Sequence, residues 1–474
     1  MLDDEMLDDD TIFLIRAKAA KAWSSALCAN ETDISGAATA AAVAVCATGK
    51  FDTTLVDGAS AAGALGGWLS FLSALSIPNF PAALRSSDGG FTRTSLVTRL
   101  PAILTETLLS SGASPAVSAD VKMFLIDPLK KGDLLPPPTN TGRDTLHLWR
   151  AGADDSPHDW FWQEVVAYDH LLRIYAEHDI KTDPFASQKE RALAAAEIPF
   201  LTFVAPLSNT VNPPDIAATL AASLWGNRGD LSLSAGRVDA TALTPHHNAD
   251  RKEENLLPDD AFLIDERCAA ITILSKAAAV VVIILDNCGA ELLADLVLTD
   301  ALLRKGVASV TLHAKVSPTF VSDATCNDVW NTIDWLSAST RIPALATRLR
   351  AAAAAGTFLV ESHPFWNAPR AGWEMPNDLY DRLAACDLAI YKGDANYRRL
   401  LGDRHWPHDT PFQRVVGAYT PCALLALRTC KAGLIVGVPQ ALESRARAIV
   451  VGGGKDDWLV TGYFGLAQFA SVIH

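Results

Sequence analysis

Apolar positions fall into two regimes along the chain. Up to about residue 200 they recur at helical spacing. Residues 94–109, TSLVTRLPAILTETLL, predict a helix around Pro101, and residues 159–179, DWFWQEVVAYDHLLRIYAEHD, predict a long aromatic-rich amphipathic helix. Between them, DPLKKGDLLPPPTNTGRD (127–144) has no period and three consecutive prolines, which predicts a loop. Beyond residue 200, short β-branched runs alternate with helical stretches. The strand candidates are Ala277–Leu285 (AAAVVVIIL), Val310–Val316, Thr357–Glu361, Leu388–Tyr391, Leu424–Arg428 and Ile449–Val451, with helices predicted over Glu291–Leu303 and Ile342–Ala355. Continuous apolar strands separated by helices indicate a mostly parallel sheet covered on both faces. The pattern predicts an α/β protein: a helical N-terminal region, residues 1–200, packed on a doubly wound, mostly parallel α/β/α sheet domain, residues 201–474. The Ala-rich stretch 34–64 reads as small-residue helices, because Lys50, Asp52 and Asp57 interrupt it short of a membrane span. Residues 236–258 read as a polar loop.

Composition narrows the function. The 474 residues are 49% hydrophobic and 20% charged, ordinary for a globular protein, with a formal net charge of −14. Six acids lie in the first ten residues; setting those aside leaves 48 acidic against 40 basic residues. That balance argues against a nucleic-acid or anionic-membrane partner, but not against a small phosphorylated ligand held by a local cluster of Lys and Arg. None of the eight cysteines forms a CxxC pair, and several sit in apolar runs, which suggests reduced thiols in a cytoplasmic protein. The acidic N-terminus is neither a signal nor a transit peptide.

In open α/β sheets ligands bind beyond the carboxyl ends of the strands. Those ends carry Asp286-Asn287, then Asp323, then Ser362-His363-Pro364, then Lys392-Gly393-Asp394-Ala395-Asn396, and finally Arg428-Thr429-Cys430-Lys431. Asp286, Asn287 and Asp323 are hard oxygen donors suited to magnesium or manganese. Lys392, Arg428 and Lys431 can hold a phosphoryl group. The helix starting near Gly289 aims its N–H groups at the same region. Asp286 alone is equally a helix N-cap; the Asn after it and the distant Asp323 favour a metal. Glu291 and Asp295 share a helix face, with Glu291 behind the metal ligands and Asp295 solvated. His363 reads as a packed histidine ahead of Pro364, and Arg99 as either a substrate contact or a salt bridge. His246-His247 and Gly452-Gly453-Gly454-Lys455 read as loop and turn, and no GxSxG, HExxH or GxGxxG occurs.

The strings LDNCGAELLADLVLTDALL (285–303), HAKVSPTFVSDAT (313–325), ESHPFWNAP (361–369), YKGDANYRRLLGDRHW (391–406) and LRTCKA (427–432) resemble the damage-control phosphatase family, formerly domain of unknown function 89. The RTxK at Arg428–Lys431 and LWGNRGDLSLS (224–234) resemble its acidic-residue-methyltransferase-like branch, and 160–173 does so more loosely. The resemblance implies a cation held by Asp286, Asn287 and Asp323, with manganese, magnesium, cobalt or nickel as candidates. It implies substrate contacts from Lys392, Gly393, Asp394, Ala395, Asn396 and Lys431. Asp323, beside the cation, is the better candidate to orient or deprotonate the attacking water, with Asp394 able to share the task. It further implies phosphatase activity on sugar phosphates such as fructose 1-phosphate, and action on fructose 6-phosphate. Two alternatives stand beside it: an S-adenosylmethionine-dependent protein-glutamate carboxyl methyltransferase, which the single glycine in Asp286-Asn287-Cys288-Gly289 disfavours, and a sugar-phosphate-binding regulator.

Overall fold

The computed structural model describes residues 82–136, 159–208, 215–227, 261–276, 278–339, 342–417, 419–449 and 457–472. The Ala-rich stretch, the polar loop with His246-His247, and residues 452–455 lie outside them.

Seven strands form one sheet: β1 Phe262–Asp265, β2 Val280–Ile284, β3 Ser309–Ala314, β4 Phe358–Ser362, β5 Leu388–Lys392, β6 Ala423–Thr429 and β7 Gly465–Ala470. The spatial order is β1-β7-β6-β5-β2-β3-β4. Strands β6, β5, β2, β3 and β4 are mutually parallel, β7 runs antiparallel to β6, and β1 pairs with β7 in parallel. The apolar run in β2 explains its central place: Val281, Ile283 and Leu285 enter one hydrophobic core while Val282 and Ile284 enter the other. A strand buried on both faces has no polar side to alternate with.

The helices that matter for the site are α1 Leu100–Ser110, α2 Trp160–Glu177, α3 Ala186–Pro199, α4 Ile216–Gly226, α5 Ala290–Lys305, α6 Cys326–Ala338, α7 Gly393–Leu401 and α8 Gln440–Ile449. Helices α1 and α2 pack with α7 in the first core, whereas α4, α5 and α6 fill the second. Helix α5 ends on Gly306 in the left-handed conformation, with Arg304 and Lys305 in its last turn. Helix α6 starts with a capping box: Thr325 accepts from Asp328 N–H while the Asp328 carboxylate accepts from Thr325 N–H. Helix α3 runs on into Ser208, so the helical stretch Ala186–Ser208 passes through residue 200.

Three expectations need correction. Asp127–Lys131 is helical rather than loop: it ends a helical run unbroken from Pro115, and Pro128 follows directly on the π-helical turn Lys122–Ile126. Ile449 ends helix α8 instead of opening a strand, and residues 450–451 lie outside the described residues. Strands β1 and β7, at one side of the sheet, were not foreseen.

Candidate active site

The carboxyl ends of β2, β3, β5 and β6 lie on one side of the sheet, and a cleft enclosing about 410 Å³ of free space, its open mouth included, sits over them. Asp286, Asp323, Asp394, Ala395 and Lys431 line one part of it. Arg99 and Glu164, from the helices before residue 200, line another, together with Trp160, Phe320 and Arg398. Five of the residues singled out from strand ends therefore meet in one place, and Arg99 does reach it.

The segment after β3 folds back beside the end of β2. Asn287 and Asp323 form an isolated antiparallel bridge, Ala324 N–H donates to the Asp286 carbonyl at 2.7 Å, and Cys288 N–H donates to the Ser322 carbonyl at 2.7 Å. Phe320 and Val321 adopt positive φ at the turn, 45° and 68°. Those bonds bring Asp323, 37 positions from Asp286, to its side. The Lys315 ammonium lies 3.1 Å from Asp323 Oδ2, and both side chains are buried.

Behind Asp286 lies a hydrogen-bonded polar layer. Its Oδ2 accepts from Asn287 Nδ2 at 2.7 Å and from Asn227 Nδ2 at 3.1 Å. The same two amides donate to Glu291 Oε2, each at 2.8 Å. Lys392 Nζ then lies 2.8 Å from Glu291 Oε1 and 3.3 Å from Asp295 Oδ1, and donates to the Ser223 carbonyl. Lys392 is thus completely buried beneath the cleft and does not line it. Burial alone would lower its pKa; Asp295 and Glu291 outweigh that and raise it. Asp295, expected in solvent, is fully buried, because the face it shares with Glu291 turns inward to Lys392. Burial pushes its carboxyl up to about 7 against the pull of Lys392.

The remaining candidates differ in where they stand. Asn396 Nδ2 donates to the carbonyls of Leu285 and Lys392, tying the ends of β2 and β5 together. Gly393 has φ +75°, and a Cβ there would stand 1.8 Å from Asp286 Oδ2. Arg428, with no exposed surface, points its Nη2 at Asp394 Oδ1 and does not line the cleft. Lys431 Nζ reaches the main-chain carbonyl of Asn227. His363 is a packed residue: its Nδ1 accepts from Phe365 N–H and its Nε2 lies 3.1 Å from Asp378.

The opposite wall was largely missed. Glu164 accepts from Ser95 at 2.6 Å, Arg99 at 3.2 Å and Arg398 at 2.7 Å. Burial raises its pKa, but Arg398 and Arg99 outweigh that and hold the carboxyl below its ordinary value. Arg398 also forks onto Asp403 and stacks 3.7 Å over the Trp160 ring. A signal for Glu164 was present: helix α2 buries Gln163 and Glu164 among aromatics, and a buried charge in an apolar face demands partners.

Fold and site together define an open α/β protein with a cleft at the carboxyl ends of its parallel strands. A family model, the damage-control phosphatase ARMT1-like domain, matches residues 117–446, and the chain belongs to that family. It is 27% identical to the damage-control phosphatase ARMT1 of Xenopus tropicalis across 81% of this chain and 98% of that one. It is 30% identical to the human protein of the same name across 66% and 76%. The match to the Danio rerio protein is 35% identical and spans 52% of this chain and 56% of that relative. Among solved structures, a DUF89 family protein from Pyrococcus horikoshii aligns with 78% of this chain and 96% of its own at 13% identity, with a TM-score of 0.41.

Proposed function

We propose that this protein is a cytoplasmic, divalent-metal-dependent phosphomonoesterase acting on small phosphorylated metabolites, with sugar phosphates such as fructose 1-phosphate and fructose 6-phosphate as its substrate class. The observation that carries the reading is the convergence of Asp286, Asp323, Asp394 and Lys431 on one cleft. Membership of a family of damage-control phosphatases supports it.

The donor set fits a hard cation with few protein ligands. Among the described residues no three His, Cys, Asp or Glu side chains cluster closely enough to hold a metal alone. Asp286 and Asp323 would hold it with the Asn287 amide, and water or substrate oxygens would fill the rest, as magnesium and manganese tolerate. Asn287 turns its nitrogen to Asp286 and its oxygen to the Ser322 hydroxyl. It would ligate with the amide turned over, which Ser322, able to donate or accept, permits on its side, while Glu291 would give up the Asn287 donor and keep that of Asn227. Once bound, the cation supplies a Lewis acid for the phosphoryl oxygens.

The chain's own groups do the rest. Lys431 neutralises phosphoryl oxygens as a point charge. Asp323 or Asp394 orients the attacking water and takes its proton as a P–O bond to water forms and the ester P–O bond breaks. Arg99 and Glu164, locked to each other, face the remainder of the substrate. A screen of phosphorylated metabolites for phosphate release with manganese, magnesium, cobalt or nickel tests the reading. Release that needs metal and stops in excess chelator supports it; undiminished release in chelator would refute the metal dependence.

A further inference from the structure

Asn227 closes helix α4 and is completely buried. It does not line the cleft, yet it is bonded to two residues that do. Its Nδ2 donates to Asp286 Oδ2 at 3.1 Å and to Glu291 Oε2 at 2.8 Å. Its Oδ1 accepts from the Thr429 N–H at 3.2 Å and the Thr429 hydroxyl at 2.8 Å. Its main-chain carbonyl accepts from Lys431 Nζ. The amide orientation is not free: Thr429 N–H can only donate, so the oxygen faces Thr429 and the nitrogen faces the two carboxylates.

The approach that permits this is tight. A Cβ on the preceding Gly226 would stand 2.7 Å from Glu291 Cα and 3.1 Å from the Ala290 carbonyl, so α4 and α5 meet backbone to backbone there. That contact delivers one side chain to β2 and β6 at once, with β5 between them.

We infer that Asn227 is a positioning residue, which sets the Asp286 carboxylate and the Lys431 ammonium at a fixed separation across the cleft. The inference rests on the proposed metal-dependent phosphatase function. The two contacts differ in kind. The amide side chain holds Asp286, whereas the main chain holds Lys431. A side-chain truncation therefore removes one of the two amide donors on Asp286 Oδ2, leaving that of Asn287, and keeps the ammonium's partner in place. No other amino acid offers two donors to a carboxylate pair and an acceptor to a strand N–H at this reach; an aspartate would set a third negative group against Asp286 and Glu291.

The test is Asn227→Ala, with Mn²⁺ affinity measured by calorimetry without substrate, and with steady-state kinetics and thermal melting alongside. Loss of an outer hydrogen-bond partner costs about 10–100-fold in metal affinity or activity, so affinity and kcat should fall by that order while KM stays within about threefold. A folded Asn227→Ala with the affinity of the unmutated protein overturns the inference. If that variant does not fold, Thr429→Val decides: it removes the shorter of the two hydrogen bonds that hold the amide oxygen, 2.8 Å against 3.2 Å for the strand N–H. A drop in Mn²⁺ affinity at unchanged melting temperature supports the inference, and unchanged affinity overturns it. Failure of the underlying reading looks different. An unmutated protein that neither binds Mn²⁺ nor releases phosphate withdraws the function and the inference together.

Discussion

The Arg428 guanidinium lies 2.9 Å from the Asp394 carboxylate, over the Tyr397 ring at 4.2 Å, and donates to the Leu434 carbonyl at 3.1 Å. Arginine in the RTxK string thus acts on the cleft through Asp394. Removing one partner of a buried ion pair leaves the other uncompensated and costs about 3–5 kcal/mol. Arg428→Met should lower stability on that order in a denaturant titration and cut phosphate release, because Asp394 loses its orientation. Arg428→Lys should recover part of the stability and less of the activity, since an ammonium cannot reproduce the planar fork. Full activity in Arg428→Met would place Asp394 outside the chemistry.

Gly393 makes a sharper case. A residue with a Cβ at φ +75° is strained by about 1–2 kcal/mol wherever it occurs. Here the Cβ would also drive into Asp286 Oδ2. Gly393→Ala should therefore lose more activity than stability: turnover falls with the displaced carboxylate, while the melting temperature drops only modestly. Equal, small effects on both would show that Asp286 can move without consequence.

His313 supplies a pH dependence of its own. It sits on β3 with 3% exposure, and its Nδ1 accepts from Trp366 Nε1 at 3.1 Å. Burial, helped by His363 and Arg382, pushes its pKa down to about 4. The unfolded chain binds this proton below about 6.5 and the folded one only below about 4. In that window the unfolded state holds more protons, so stability is complete above about 6.5 and falls as pH drops, by up to about 3 kcal/mol. Denaturant titrations from pH 8 to 4 should show that slope, and His313→Gln should flatten it. An unchanged slope in His313→Gln would assign the loss to other groups.

Much of this is legible in the sequence. Val280–Ile284 could hardly be anything but a buried parallel strand, and the strand-end rule led directly to Asp286, Asp394 and Lys431. Strand β7 escaped because Gln468 interrupts its apolar face; the side chain is buried by bonding Tyr397 and the Val436 carbonyl, partners remote in sequence. Strand β1 escaped because four residues, FLID, carry too little periodicity. Asp295 was misjudged for the same reason that Lys392 was: each looks exposed or functional alone, and only their meeting across the α5 and β5 packing makes them a buried pair. Asn227 and Glu164 lie on helices 59 and 122 positions before Asp286, a separation that no local pattern bridges.

The last prediction separates Asp286 from Lys431. Both line the cleft, on β2 and β6 sides respectively, and both contact Asn227, so a loss of activity in either variant would not by itself assign a role. Metal binding does. Asp286 is a proposed ligand of the cation, and Asp286→Ala should lose both Mn²⁺ binding and turnover. Lys431 offers a positive charge, which repels the cation and attracts phosphoryl oxygens. Lys431→Ala should therefore keep its Mn²⁺ affinity or gain slightly, while KM rises and kcat falls by about 10²–10³, the cost of removing one preorganised donor. Lys431→Arg should recover only part of that, because a planar fork replaces a compact ammonium beside the Asn227 carbonyl. Calorimetric Mn²⁺ titration run beside steady-state kinetics on all three variants decides the matter. If Lys431→Ala loses metal while Asp286→Ala retains it, the two roles are exchanged and the assignment of the cleft falls.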